Sequence, residues 1–190
     1  DIHIQQATSL LKDLTGKLYK MNPLELKKNP GQTIESRIES IFQCPFQGKD
    51  AHLDSKSGVE AILAGFETDF HGDRVFAMMY GLYTMLIQSY SGKCELYLVD
   101  VLDQQSLYNS ARNIEIFVWR IKNRKRVDGR LFLETNQTKG PVENLSFERI
   151  FGKLVSLQDT MALIVSSKSG RMITRAVHTA ATMAFLPVGI

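Results

Sequence analysis

Glu67, Asp69, His71 and Asp73 stand within seven residues of one another, and His52 with Asp54 supplies a second His-x-Asp upstream. Carboxylate and imidazole are suitable ligands for zinc, manganese or iron, and a helix junction could splay Asp69, His71 and Asp73 around one ion. With an open position for water, such a centre would make a metal-dependent hydrolase built on His71 and Asp73. A plainer explanation competes with it: alternating polar residues at a helix break cap backbone groups and meet water. No ligand spacing of diagnostic geometry accompanies the cluster, so the plainer explanation is preferred.

Nucleophilic chemistry has less support. Ser166-x-Lys168 is one residue short of the Ser-x-x-Lys spacing of penicillin-recognising enzymes. There is no Gly-x-Ser-x-Gly, no P-loop and no GxGxxG, and His178 falls on the outer side of a predicted last helix. The sequons Asn136-Gln-Thr138 and Asn144-Leu-Ser146 matter only where glycosylation occurs. No catalytic residue and no cofactor is assigned.

Two further groups bear on binding. Arg120, Lys122, Arg124, Lys125, Arg126 and Arg130 form a basic run that could meet phosphates or an anionic membrane surface. It also lies at a predicted helix C-terminus, where cations complement the macrodipole. No aromatic ladder or nucleic-acid motif accompanies it, so a solvated helix end is favoured over sequence-specific nucleic acid. On the helix 103–124, Tyr108, Arg112, Glu115 and Trp119 fall on one flank. Tyr, Trp and Arg together are typical of interaction hot spots and equally typical of a flank packed on a neighbouring helix. This flank is the candidate surface for a ligand or partner.

The elements that must position these groups follow from hydrophobic spacing. Ile4, Ala7, Leu11, Leu14 and Leu18 make one helical stripe, ended before Pro23. A short helix follows with Ile34, Ile38, Ile41 and Phe42 inward. Ser57-Gly-Val-Glu60 is a capping-box pattern that opens a helix through Phe66. The junction Phe70-His71-Gly72-Asp73 breaks it before a long helix 74–90, apolar nearly all round and therefore central. Leu107, Ala111, Ile114, Val118 and Ile121 stripe the helix 103–124. Ser146 is placed as an N-cap, with Leu145 and Ile150 as its staple, for a helix lined by Phe147, Ile150, Leu154, Leu157, Met161 and Ile164. A break at 166–170 precedes a final helix with Ile173, Val177, Ala180 and Ala184 inward, ended by Pro187. The expectation is an all-α bundle of six to seven helices in one domain over 1–190, its segment 1–45 packing on a core 57–186. A two-stranded ribbon pairing 94–100 with 130–135 is the one β feature expected.

Composition agrees with a folded chain: 44% hydrophobic and 23% charged residues allow a sizeable core and argue against disorder. A net charge of +3 is too small to imply a polyanionic partner. The longest apolar run, 75–87, is too short to span a bilayer. Cys44 and Cys94 make an even pair whose crosslink would close a loop of about 50 residues, worth roughly 3–4 kcal/mol. Two buried free thiols are the alternative. The chain opens at Asp1 without an initiator methionine, which fits a leader removed or a trimmed chain.

His71-Gly-Asp-Arg-Val-Phe76, Leu107-Tyr-Asn-Ser-Ala-Arg-Asn-Ile-Glu115 and Asn144-Leu-Ser-Phe-Glu148 resemble uncharacterised exported helical proteins of Gram-negative bacteria. The resemblance covers residues 60–165, implies a periplasmic or secreted setting, and carries no activity with it. The expected function is thus that of a non-enzymatic cell-envelope domain acting through protein contacts or a small ligand held between helices. The helix bearing Met78, Met79 and Met85 would line such a site. Partner identity and oligomeric state are not set by the sequence.

Overall fold

The stripe Ile4, Ala7, Leu11, Leu14 and Leu18 is buried on α1 (Ile2–Met21). The computed structural model describes residues 2–46, 50–97, 100–135, 145–175 and 184–189. Within them lie α1, α2 (Pro23–Lys27), α3 (Ile34–Ile41), α4 (Gly58–Gly65), α5 (Arg74–Ser89), α6 (Gln104–Asn123) and α7 (Ser146–Ser169). The all-α expectation holds. One contiguous core draws side chains from α1 through α7.

Pro23 does end α1, but it also starts α2, because a proline at the first helical position gives up an N–H that would be orphaned anyway. α3 is opened by a reciprocal capping box between Thr33 and Ser36. α5 is the central helix the sequence implies: only Tyr80 and Gln88 escape full burial along its length. It touches α1, α3, α4 and α6, while α7 covers α1 and α6. The α4–α5 contact is close because Gly81 has no side chain; a Cβ there would stand 2.6 Å from the Gly58 carbonyl oxygen.

Polar bonds set the register of the apolar faces. Gln158 on α7 is fully buried; its Oε1 accepts from the Tyr90 hydroxyl, and its Nε2 donates to Ser89 Oγ (3.0 Å) and Ser110 Oγ (2.6 Å). This node adds a buried amide to the expected face of α7, whose Ile150 and Leu157 pack at the edge of the core. Phe147, Phe151, Leu154, Gln158, Met161 and Ala162 point inward, and Ile164 is exposed.

Four local expectations are corrected. Ser57 occupies the N-cap position of α4 without a capping bond, and Gly58 N–H donates instead to Thr84 Oγ1 of α5 at 2.7 Å. Ser146 is the first helical residue of α7, not its cap; its hydroxyl accepts from Lys17 Nζ, and Leu145 is exposed. The β ribbon is not formed among the described residues. Cys94 is tied to Cys44, the Asp100 carboxylate accepts from Tyr97 N–H, and Leu131 pairs in a single bridge with Lys125. Finally, α7 continues through the expected break to Ser169 and stops at Gly170 in the left-handed conformation (φ 68°). Residues 171–175 and 184–189 are not helical, and the remainder of the expected last helix lies outside the described residues. Side chains of α6 take up backbone groups of both segments that a helix would have bonded internally.

Cys44 and Cys94 form a disulfide, with Cα atoms 5.8 Å apart, that ties the segment after α3 to the loop after α5. Phe46, two residues on, packs edge-to-face on Tyr80 and Tyr83 of α5. Replacing both cysteines by serine is expected to cost about 3–4 kcal/mol. Urea unfolding of the variant and of the dithiothreitol-treated protein should shift together; no shift in either would mean that the link stabilises nothing.

Candidate functional site

The metal candidates are separated by the fold. Asp73 is the N-cap of α5, its Oδ1 accepting from Phe76 N–H at 2.9 Å, and it is only 2% exposed. Its Oδ2 accepts from the Tyr19 hydroxyl (2.7 Å), from Arg37 Nε (3.2 Å) and from Asn29 Nδ2 (3.3 Å). Arg37 also donates to Asp50 Oδ2 at 3.1 Å and lies over the Phe76 ring. A carboxylate so engaged joins α1 and α3 to α5 and has no lone pair aimed at solvent for an ion. Burial pushes the Asp73 carboxyl above its ordinary value, opposed by the Phe76 N–H, the Tyr19 hydroxyl and the Arg37 charge.

His71 and Asp69 are exposed and point elsewhere. With His52, Asp54, Glu60 and Glu67 they line a surface cleft of about 710 Å³ beside α4. Both His-x-Asp stretches therefore reach one cleft, but Asp73 does not, and among the described residues no three His, Cys, Asp or Glu side chains are grouped to hold a metal. The convergence that a hydrolase on His71 and Asp73 requires is not present.

The elbow between α4 and α5 is held by charges that the sequence pattern did not reveal. The Arg74 guanidinium donates to the carbonyls of Gly65, Glu67 and Phe70, satisfying groups orphaned at the end of α4. Glu25 accepts from Arg74 N–H and from Lys28 Nζ, each at 2.7 Å, so a second carboxylate faces the N-terminus of α5.

The basic run is largely exposed, with Arg120 and Arg126 half-buried, and most of its members have partners in the fold. Arg120 lies over the Phe185 ring, Lys122 pairs with Glu148 at 2.6 Å, and Arg130 pairs with Asp128. Arg124 and Arg126 both lie over Phe132, and Arg126 donates to its carbonyl. Arg124 and Arg126 thus hold Phe132 of the 125–133 loop, while Lys122 joins α6 to α7 and Arg130 pairs within the loop.

On the α6 flank the structure divides the four predicted residues. Arg112 donates to Asp159 Oδ2 of α7 at 2.7 Å, pairs with Glu115 at 3.3 Å, and sits 5.0 Å over the Tyr108 ring. Arg112 thus latches α6 to α7, with the Tyr108 ring beneath its guanidinium. Glu115 and Trp119 instead line a groove of about 430 Å³ between the same two helices, with Val118, Phe151, Gly152 and Val155. Trp119 is 38% exposed, and a side chain at Gly152 would meet nothing within 4 Å. The α7 half of the groove was missed from sequence. Its one signal was Gly152, a residue that costs about 1 kcal/mol in a helix interior relative to alanine and stands at no turn.

Two outcomes test these assignments. Asp73→Ala leaves Arg37 and Tyr19 short of a partner and is expected to cost about 3–5 kcal/mol. His71→Ala on the surface should stay within about 0.5 kcal/mol, with no effect of chelator on either midpoint. Equal losses from His71→Ala and from chelator in urea unfolding would restore the metal reading. The second test concerns Tyr19 and Tyr90, whose phenols burial pushes far above their ordinary value. In the unfolded chain they deprotonate near pH ~10, whereas the folded protein retains both protons. Stability present below that pH is therefore lost as pH rises past it. In a spectrophotometric titration, the phenolate signal of these two of the six tyrosines should appear only with loss of helical circular dichroism.

No protein-family model, curated protein or solved structure matches this chain, so its function is argued from the chemistry of its own surfaces.

Proposed function

We propose that the chain is a non-enzymatic helical domain of the cell envelope that acts through protein contacts made at the α6–α7 groove. The observation that carries this reading is Trp119: a large aromatic held half out of the fold beside Val118, Phe151 and Val155, with Gly152 leaving one side open. A tryptophan in an apolar groove with a polar rim is the usual composition of a binding hot spot. The rim is supplied by Glu115, Asn123 and the Lys122–Glu148 pair. The groove runs along two antiparallel helices latched by Arg112, so the apolar face of a partner helix fits its length and chemistry.

A small ligand enclosed between helices has less support. Met78 and Met79 are fully buried and packed, Met78 against Gly65, and only Met85 reaches the edge of an open groove. The envelope setting is supported by the Cys44–Cys94 disulfide, since such bonds persist in oxidising compartments. Among the described residues no helix is long and apolar enough to cross a membrane.

A photo-crosslinking residue at position 119, expressed in the native host, should give a discrete protein adduct. Filling the groove with Gly152→Trp should abolish it, and Trp119→Ala should weaken binding of the captured partner by about 2 kcal/mol. If position 119 yields only the adducts given by the exposed Val127, the reading is lost.

A further inference from the structure

Residues on the other side of α6 bind main chain of segments outside the helices. Asn113 is fully buried; its Oδ1 accepts from Leu186 N–H (2.7 Å) and its Nδ2 donates to Leu186 O (2.8 Å). One turn earlier, Asn109 Nδ2 donates to Pro187 O at 2.9 Å, and Ser106 Oγ accepts from Gly189 N–H at 3.3 Å. Gln105, one further turn back, repeats the two-bond pairing on Thr174, with its Oε1 accepting from N–H (2.8 Å) and its Nε2 donating to the carbonyl (3.1 Å). Gln105, Asn109 and Asn113 thus form a ladder at four-residue spacing, which aligns side chains along one helix face.

Such a ladder is indifferent to sequence, since every non-proline residue offers the same N–H and C=O. Selection comes from the apolar side chains the segment 184–189 places: Phe185 under Arg120, and Phe185 and Val188 against the core. The seat is only partly filled. Open space of about 480 Å³ flanks the segment beside Val59, Glu60 and Met85, and a further 310 Å³ lies past Gly189 beside Val101 and Asp103. Ala184, Pro187 and Gly189 remain exposed.

We propose that the α5–α6 face is a peptide-binding groove for non-helical apolar segments of a partner protein, with this chain's own 184–189 as its resident, displaceable occupant. The partner segment is of the kind seated there now: an aromatic and an aliphatic residue followed by proline and a small apolar residue. This surface is separate from the Trp119 groove, so either can fail without the other.

The test uses the full chain and a fluorescein-labelled peptide of residues 184–189. Leu186→Pro removes the N–H that Asn113 accepts and should release the resident segment. A resident segment lowers the apparent affinity for a competing peptide by the fraction of time it leaves the site open, about tenfold for an open fraction of about one-tenth. The Leu186→Pro chain should therefore bind the peptide about tenfold more tightly than the wild type. The added change Asn113→Ala should remove that binding, with helical circular dichroism unchanged, whereas Trp119→Ala should leave it intact. A second release variant, Phe185→Ser/Val188→Ser, should behave like Leu186→Pro. A folded release variant that binds no peptide overturns the proposal. So does loss of helix in both, because a segment the fold cannot release cannot be exchanged.

Discussion

The bundle depends first on a carboxylate that has no access to water. A buried charge is tolerated only when its lone pairs are met, and Asp73 meets them with groups from α1, from the turn at Asn29, from α3 and from the first turn of α5. Apolar stripes alone would let α1 and α3 slide along α5 at small cost. The four donors to Asp73 are satisfied together in one arrangement only, so this side chain converts a hydrophobic collapse into a register. Glu25 and Arg74 extend the constraint to the elbow, closing both the end of α4 and the start of α5.

The same device recurs where apolar packing leaves the chain path undetermined. Gln158 ties α7 to α5 and α6 through Tyr90, Ser89 and Ser110. Asn22 clasps both backbone groups of Glu134, as Gln105 does for Thr174 and Asn113 for Leu186. Segments outside the helices are thereby held by amide side chains, which offer a donor and an acceptor at the spacing of a peptide group. A surface bonded in this way resembles a sheet edge in its chemistry while belonging to a helix. It gives the bundle a capacity for main-chain recognition that its all-α composition conceals.

The two surfaces follow different physics. The Trp119 groove is an apolar recess with fixed walls, kept open by a missing side chain at Gly152 and braced by the Arg112–Asp159 pair. The groove over Asn109 and Asn113 is polar at its base and apolar at its sides. Histidine and carboxylate residues that look like chemistry in one dimension are split between the core and a surface cleft, because the junction turns Asp73 inward while leaving Asp69 and His71 in water.

By itself the sequence determined the helical class, the stripes of α1, α5 and α6, and the break before Asp73, because these follow from periodicity and from residues that stop a helix. It also singled out the flank of Tyr108, Arg112, Glu115 and Trp119, but could not divide latch from groove: that depends on where Asp159, Phe151 and Gly152 arrive from α7. The inward turn of Gln158, the ionic role of Asp73 and the seating of 184–189 on α6 were decided by tertiary structure alone. In each case the deciding bond joins residues tens of positions apart, and a polar side chain's partner, unlike its polarity, is not written in its local sequence.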